Sequence, residues 1–242
     1  DHKKYVTNSF PLFSLVSGIY YIKAKVYKNL DTISLKNKFF VYNGEKIKSQ
    51  TKKYVDSRSF ENSEFSTFTD EQTDIEIRKI RPIATESELD KFDMLSDTKA
   101  KQRLLYRFWK MRDTDTTDGF NESYHKFKEL VKIADKMFSF GLIPGWNTDR
   151  GRILIKYGQP GQRLVHPQKA DLAAYESWFY EDVQGGVYFY FVDVTGYGNF
   201  VLVHSTAYGE IQYDNWYNEY VLQRERNPFD DGREENYINP RW

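Results

Sequence analysis

The stretch G-W-N-T-D-R-G-R-I-L-I-K-Y-G-Q-P, residues 145–160, concentrates side chains that can do chemistry. It brings an aromatic ring, a hydroxyl group, a carboxylate and two guanidinium groups together within seven positions: Trp146, Thr148, Asp149, Arg150 and Arg152. A carboxylate beside arginines forms charge-assisted hydrogen bonds, and arginines left over can bind an anionic ligand. The stretch is therefore either a ligand site or a tight structural corner.

We favour the corner, because buried charges persist in proteins when they are paired. Gly145 and Gly151 permit backbone geometries closed to other residues, and Gly158 opens a turn. In this interpretation Trp146 anchors the corner. Asp149 then accepts backbone N–H bonds or pairs with an arginine, for which there are three candidates: Arg150, Arg152 and Arg112. An exposed pocket for an anionic or sugar ligand remains the alternative.

Other candidate sites carry weaker patterns. The acidic loop with Asp113, Asp115 and Asp118 resembles a calcium loop, but its glycine is seventh instead of sixth, and Tyr124 replaces the final glutamate. We expect Asp118 to cap the following helix instead. Glu176 and Asp193 could form a carboxylate pair of the glycosidase type, although ordinary polar strand positions are the favoured explanation.

Histidine and cysteine patterns give no catalytic or metal signature. The four histidines, at positions 2, 125, 166 and 204, lack the i, i+4 spacing of a helical zinc motif. The chain has no cysteine, which excludes disulfides, thiolate nucleophiles and cysteine-ligated metals. A Ser–His arrangement around His204 and Ser205 has no local signature. We predict no metal and no cofactor, and favour a non-enzyme over an enzyme.

Composition restricts the class of partner. Basic and acidic residues number 35 each, so the formal net charge is zero and the chain lacks the basic excess typical of nucleic-acid binding. Aromatic residues make up 17% of the chain, which favours surfaces that bind proteins or glycans. No apolar run reaches the length of a transmembrane helix. Asp1 is an unusual native start, so we expect an upstream segment to have been removed.

Periodicity predicts the elements that must position these side chains. S-G-I-Y-Y-I-K-A-K-V-Y alternates as a strand, with a turn at 29–31 and a returning strand. Helices follow after capping residues Thr69 or Asp70, Thr85, and Ser96 or Asp97. One further helix carries a core stripe at helical spacing: Tyr124, Phe127, Val131, Ala134 and Phe138.

An antiparallel meander is predicted after the helices. Its strands are R-I-L-I-K-Y-G, A-Y-E-S-W-F-Y-E, V-Y-F-Y-F-V-D-V and N-F-V-L-V-H-S, separated by glycine-rich turns. D-N-W-Y-N-E-Y-V-L-Q-R-E predicts a last helix before an irregular end. The fold class is thus α+β, with helices packed on an antiparallel meander preceded by a β-hairpin.

The ordered motifs resemble the GWxTD domain family of bacterial envelope proteins. They run from F-W-x-x-R-D (residues 108–113) through the 145–160 stretch and E-x-W-x-Y (176–180) to F-V-D (191–193). The resemblance covers about residues 81–203. It implies an upstream immunoglobulin-like β-sandwich and an exported location, in the periplasm or at the outer-membrane surface, but no reaction. The loop T-D-T-T-D-G departs from the family's proline-containing stretch.

These observations predict four regions. Residues 1–43 are the closing strands of a truncated β-sandwich-like domain, 44–69 a linker or arm, 70–204 the GWxTD-like domain, and 205–242 an aromatic extension. The structural motif or possible pocket comprises Arg112, Asp113, Trp146, Thr148, Asp149, Arg150, Arg152, Tyr157, Glu176 and Trp178. Possible partner-binding residues are Tyr208, Tyr213, Trp216, Tyr217, Tyr220 and Trp242.

The function predicted from the sequence is a non-enzymatic interaction or scaffold module of an outer-membrane or secretion-associated complex. Its partners would be other envelope proteins, and any membrane association would pass through them or through a missing N-terminal anchor. Two alternatives stay open. An enzyme acting on envelope glycan or peptide would place Asp149, Arg150 and Glu176 in one cleft. A carbohydrate-binding module would expose the faces of Trp178 and Trp216.

Overall fold

The structure is a computed structural model that describes residues 9, 11–13, 15, 17–28, 31–41, 43, 59–114 and 121–222. The chain divides into two compact units, Asp1–Lys132 and Ile133–Trp242, each of which is described by itself. Helices and antiparallel sheets occur together in the chain, so the predicted α+β class is confirmed.

The first unit begins with a long hairpin. Strands β1 (Gly18–Lys28) and β2 (Asp31–Val41) pair antiparallel over their whole length. Alternation places Ile22 and Val26 on one face and lysines on the other, as the sequence predicts. Positions 29 and 30 of the predicted turn lie outside the described residues.

The described part of this unit continues with helices α1 (Asp70–Ile80), α2 (Glu86–Asp93) and α3 (Thr98–Lys110). Thr69 and Thr85 each form a capping box with the residue three positions on, and Asp97 caps α3 by accepting the Ala100 N–H at 2.7 Å. These caps satisfy backbone donors that a helix start leaves free, so the predicted starts are confirmed.

Part of the segment predicted as a linker or arm is structured. Residues 59–69 include two 3₁₀ turns, Phe60–Asn62 and Glu64–Thr67, whose phenylalanines are buried. The ring of Phe65 lies 5.0 Å from that of Tyr124. Residues 44–58 lie outside the described residues.

Helix α4 (Glu122–Phe138) spans the boundary between the units. Its cap among the described residues is Asn121, whose side-chain oxygen accepts the Tyr124 N–H at 2.7 Å. The predicted cap, Asp118, lies outside them. The predicted stripe is confirmed, because every member is at most 7% exposed: Tyr124, Phe127, Val131, Ala134 and Phe138.

The second unit contains helix α5 (Asp149–Tyr157) and a four-stranded antiparallel sheet in the order β3-β4-β5-β6. The strands are β3 (Gln162–His166), β4 (Tyr175–Tyr180), β5 (Val187–Asp193) and β6 (Phe200–Ser205). On one face, β4 and β5 bury alternate residues, with Trp178 paired to Phe189 across the two strands. On the other face, Val192 packs in a small cluster with Val203 and Val221.

The prediction for R-I-L-I-K-Y-G was wrong. This run is not the first strand of the meander but most of α5. The first strand is β3, which was not predicted from the sequence. Ile153, Leu154 and Ile155 are all buried, whereas a half-covered strand would expose the middle one. The predicted last helix is a five-residue π-helical turn, Tyr217–Val221, within the described part of the chain.

Candidate functional site

The G-W-x-T-D motif builds a corner from a 3₁₀ turn, Gly145–Asn147, into α5. The hydroxyl of Thr148 accepts the Gly151 N–H at 3.1 Å and donates to the Gly145 carbonyl at 2.7 Å. The Trp146 N–H donates to the Asp135 carboxylate at 3.1 Å, and the indole is half-buried. Thr148 is thus the N-cap that starts α5.

The two glycines of the motif are required for close packing. A Cβ at Gly145 would lie 1.9 Å from the Ala134 carbonyl oxygen, and one at Gly151 would lie 1.9 Å from the Gly145 carbonyl oxygen. Neither glycine has a positive φ, whereas Gly158, which ends α5, has a φ of 83°. The corner therefore depends on backbone segments in direct contact.

Asp149 joins α5 to the sheet. Its carboxylate accepts the Leu202 N–H of β6 at 2.8 Å. The sequence predicted either a backbone hydrogen bond or an arginine pair for Asp149. The structure shows the backbone hydrogen bond, and Arg150 pairs with Glu176 instead.

Glu176 of β4 is the centre of a buried network. Its carboxylate accepts hydrogen bonds from Arg150 at 2.9 Å, from two nitrogens of Arg163 at 2.9 and 2.8 Å, and from the Trp178 indole at 2.9 Å. Glu176 is 2% exposed, Trp178 1% and Arg150 8%. Arg163 was not among the predicted site residues, because its position opposite Trp178 depends on the β3–β4 register.

Aromatic rings enclose the Arg150 guanidinium, which lies 4.9 Å from the Phe138 ring centre and 4.3 Å from that of Phe200. Burial lowers the pKa of Arg150, and Glu176 opposes that effect. Burial also raises the pKa of Glu176, but hydrogen bonds from Arg163 and Trp178 outweigh it, so the net pKa is lowered. The arrangement keeps Glu176 ionised and fully engaged.

Asp193, the other member of the suggested carboxylate pair, holds a turn. One oxygen accepts the Gly198 N–H at 2.6 Å and the other accepts the Thr195 hydroxyl at 3.2 Å. Both hydrogen bonds join Asp193 to residues at most five positions away, and local bonds of this kind stabilise turns.

A second network, also missed from sequence, surrounds Glu210. Its carboxylate binds Arg152 at 2.9 Å, Lys156 at 2.6 Å and the Tyr157 hydroxyl at 3.1 Å. Burial raises the pKa of Glu210, yet hydrogen bonds from Arg152 and Lys156 leave it lowered. Arg152 and Tyr157, predicted for the motif, thus serve this network.

Arg112 belongs to the first unit and pairs there with Glu88. Two guanidinium nitrogens reach the two carboxylate oxygens at 2.9 and 2.8 Å. Asp113 adjoins it in sequence, while Asp115 and Asp118 lie outside the described residues. Within the described ranges, no group of three His, Asp or Glu side chains could hold a metal ion.

His204 and Ser205 have structural contacts. His204 Nδ1 accepts the Tyr213 N–H at 2.9 Å, and the Ser205 hydroxyl donates to the Ile211 carbonyl at 3.1 Å. Both bonds attach the segment after β6 to the sheet. His166 stacks on Tyr175 at 4.1 Å, and His2 lies outside the described residues.

The second face of the sheet carries a group of rings, here called the aromatic face. Its half-buried members are Tyr175, Tyr190 and Trp216, and its exposed members are Tyr188 and Tyr217. Trp216 stacks on Tyr190 at 4.4 Å and lies 5.8 Å from Tyr175, while Tyr188 is 6.1 Å from Tyr190. Tyr188 is 42% exposed. This face brings together residues from strands and from the predicted extension.

The other predicted partner residues behave differently. Tyr208 is 87% exposed, and the Tyr213 hydroxyl donates a hydrogen bond to the Glu219 carboxylate. Tyr220 packs against the cluster around Val192. Trp242 lies outside the described residues.

Comparison with known proteins adds the family. A family model described as the GWxTD domain matches residues 46–224. The chain belongs to the GWxTD domain family. The matched range starts within the predicted linker and ends within the predicted extension, so it includes both carboxylate networks. No curated protein and no solved structure matches. Among the described residues of this GWxTD protein, no helix is both long and apolar enough to cross a bilayer.

Proposed function

We propose that this GWxTD protein is a non-enzymatic interaction module of a multiprotein assembly in the bacterial cell envelope, in the periplasm or at the outer-membrane surface. The observation that carries the proposal is that the buried Glu176 carboxylate is already bound by Arg150, Arg163 and Trp178. The charged groups that a catalytic or anion-binding cleft would present to a ligand hold α5, β3 and β4 together instead.

Acid–base catalysis needs a carboxylate or base with lone pairs directed toward a substrate. Glu176 accepts from Arg150, Arg163 and Trp178, and its lowered pKa keeps it from acting as a proton donor near neutral pH. Asp149 is bonded to the β6 backbone. These contacts favour a role for the motif in folding.

The aromatic face supplies the contact surface in this proposal. Tyrosine and tryptophan are enriched in protein interfaces because they combine large apolar area with polar atoms. The described residues offer no hydrogen-bond partner to the hydroxyls of Tyr175, Tyr188 or Tyr190, which remain available to another molecule. The partners that we propose are other envelope proteins.

A glycan-binding role would need ring faces that are free to stack on sugars. Trp178 is buried, and one face of Trp216 is covered by Tyr190. Sugars would need free ring faces on which to stack. The rings of this face instead present edges and hydroxyl groups, which are better suited to contacts with a protein surface.

Site-specific photocrosslinking tests the proposal. A photoreactive phenylalanine analogue would replace Tyr188 in one variant and Tyr197 in a control variant, and both would be expressed in the native envelope. Tyr197 is 83% exposed in a turn outside the aromatic face. We expect position 188 to give a discrete adduct with one envelope protein, lost when excess unmodified protein competes.

Equal adducts at both positions, or none at position 188, would contradict the interaction role. An adduct with glycan would favour the carbohydrate-binding alternative instead.

A further inference from the structure

The two edges of the four-stranded sheet differ. At the β6 edge, the Leu202 N–H is bound by Asp149, and the Ser205 N–H donates to the Ile211 carbonyl at 2.8 Å. The segment after β6 and the start of α5 therefore cover this edge. An edge that is covered in this way cannot accept another strand.

The β3 edge is open within the described part of the chain. Beyond its ladder with β4, the backbone of Gln162–His166 has no hydrogen bond to any described residue. Leu164 is 57% exposed and Val165 59%, one on each face of the strand. A row of free N–H and C=O groups flanked by exposed apolar side chains can pair with another strand.

Natural edge strands avoid such pairing with outward-facing charges, prolines or bulges. β3 has a regular register with β4, and none of its five residues is a proline; the nearest prolines flank the strand at positions 160 and 167. Its one charged side chain, Arg163, is directed inward to Glu176. Among the residues that the structure describes, nothing therefore gives this edge the usual protection.

We propose that β3 pairs antiparallel with β3 of a second copy of the chain, about a twofold axis at Leu164, and joins two four-stranded sheets into one of eight strands. The register follows from the sequence of the strand. A twofold axis at Arg163 would oppose two guanidinium groups, and an axis at Val165 would oppose Arg163 to Pro167, which has no N–H. Only the axis at Leu164 uses all five residues.

In this register the facing side chains are compatible. Leu164 meets its own copy, Arg163 lies opposite Val165, and Gln162 lies opposite His166. No like charges oppose each other, and the centre is apolar. The self-complementarity of the strand favours a second copy over an unrelated strand. Because the paired strands are short, the contact is smaller than a standard interface, and the dimer should depend on protein concentration.

Disulfide trapping tests the register directly, because the chain has no cysteine. Directly opposed residues have Cα atoms about 4.5–5.5 Å apart, within disulfide range, so Leu164→Cys should link to its copy. Val165→Cys is the matched control, since it is equally exposed but would lie about 8 Å from its copy, beyond that range. We expect linkage at position 164 to be about tenfold faster or more.

Charge exchange gives an independent measurement by sedimentation velocity over a concentration series. Leu164→Lys and Leu164→Glu should each remain monomeric where the wild-type chain dimerises, and an equimolar mixture should dimerise again. Both substitutions are at an exposed position, and circular dichroism would confirm that the variants fold.

The proposal is overturned by equal linkage at positions 164 and 165, by a wild-type chain that stays monomeric throughout the series, or by a dimer that Leu164→Lys does not weaken. Capture of a different protein through this edge would also overturn it.

Discussion

Replacing Glu176 with glutamine is the most direct test of the buried network. The substitution keeps the side-chain size and removes one negative charge from between two guanidinium groups. Arg150 is 8% exposed and cannot turn to water, whereas the Arg163 side chain is 31% exposed and can rehydrate. The main cost is therefore the uncompensated charge of Arg150.

Breaking a buried ion pair by removing one partner costs about 3–5 kcal/mol. Because Arg163 can relax, we expect Glu176→Gln to lower the free energy of unfolding by about 3 kcal/mol. The double variant Glu176→Gln/Arg150→Met removes both charges and should recover part of that loss, since an apolar replacement leaves no charge unpaired.

Urea unfolding followed by tryptophan fluorescence measures both effects, and Glu181→Gln is the matched control. Glu181 lies just after β4 and is exposed, so its variant should stay within about 0.5 kcal/mol of the wild type. A loss below about 1 kcal/mol for Glu176→Gln would refute the reasoning. A double variant that is no more stable than Glu176→Gln would refute it as well.

The lowered pKa of Glu176 predicts that the difference in stability between wild type and Glu176→Gln depends on pH. The folded-state pKa of Glu176 lies below its ordinary value of 4.5, so the unfolded chain takes up the proton first as pH falls. The stabilisation is complete above that ordinary value and is lost as pH falls through the lower folded-state pKa. The difference in stability between wild type and Glu176→Gln should therefore narrow below pH 4.5 and be unchanged near neutrality.

Three further substitutions test other parts of the structure. Gly151→Ala would force a Cβ to within 1.9 Å of a carbonyl oxygen, and should cost about 3 kcal/mol or more in thermal unfolding. Asp149→Ala would leave the Leu202 N–H without its acceptor and should cost about 1–3 kcal/mol in urea unfolding, with no loss for a control at exposed Asp182. Hydrogen bonds from Arg112 lower the pKa of Glu88 to about 2. Glu88→Gln should therefore lower the free energy of unfolding above pH 4.5, and should make that free energy less dependent on pH between 4.5 and 2.

The elements with strong local signals were predictable from sequence. Capping residues such as Thr69 and Thr85 satisfy backbone donors within three positions of themselves, and the α4 stripe repeats at helical spacing. Strands β4, β5 and β6 are short β-type runs that glycine-rich turns separate from one another. Each of these signals is short-range, so neighbouring residues suffice to decide the structure.

Helix α5 shows where local pattern fails. The run Ile153–Ile155 is apolar and short, and such a run is compatible with a strand or a buried helix. Thr148 and Asp149 stand where a cap and a first helical turn would be, but the same residues also suit a turn before a strand. Packing decided between them, because all three apolar residues are buried in the helix.

The sequence by itself determined the composition, the family motifs, most helix starts and three of the four strands of the meander. Only the tertiary structure decided what the motif residues contact. Glu176 meets Arg150 across 26 positions and Arg163 across 13, and Lys156 meets Glu210 across 54. Charge pairing depends on distance in space, and the strand register and the close glycine contacts set that distance. No local pattern encodes it.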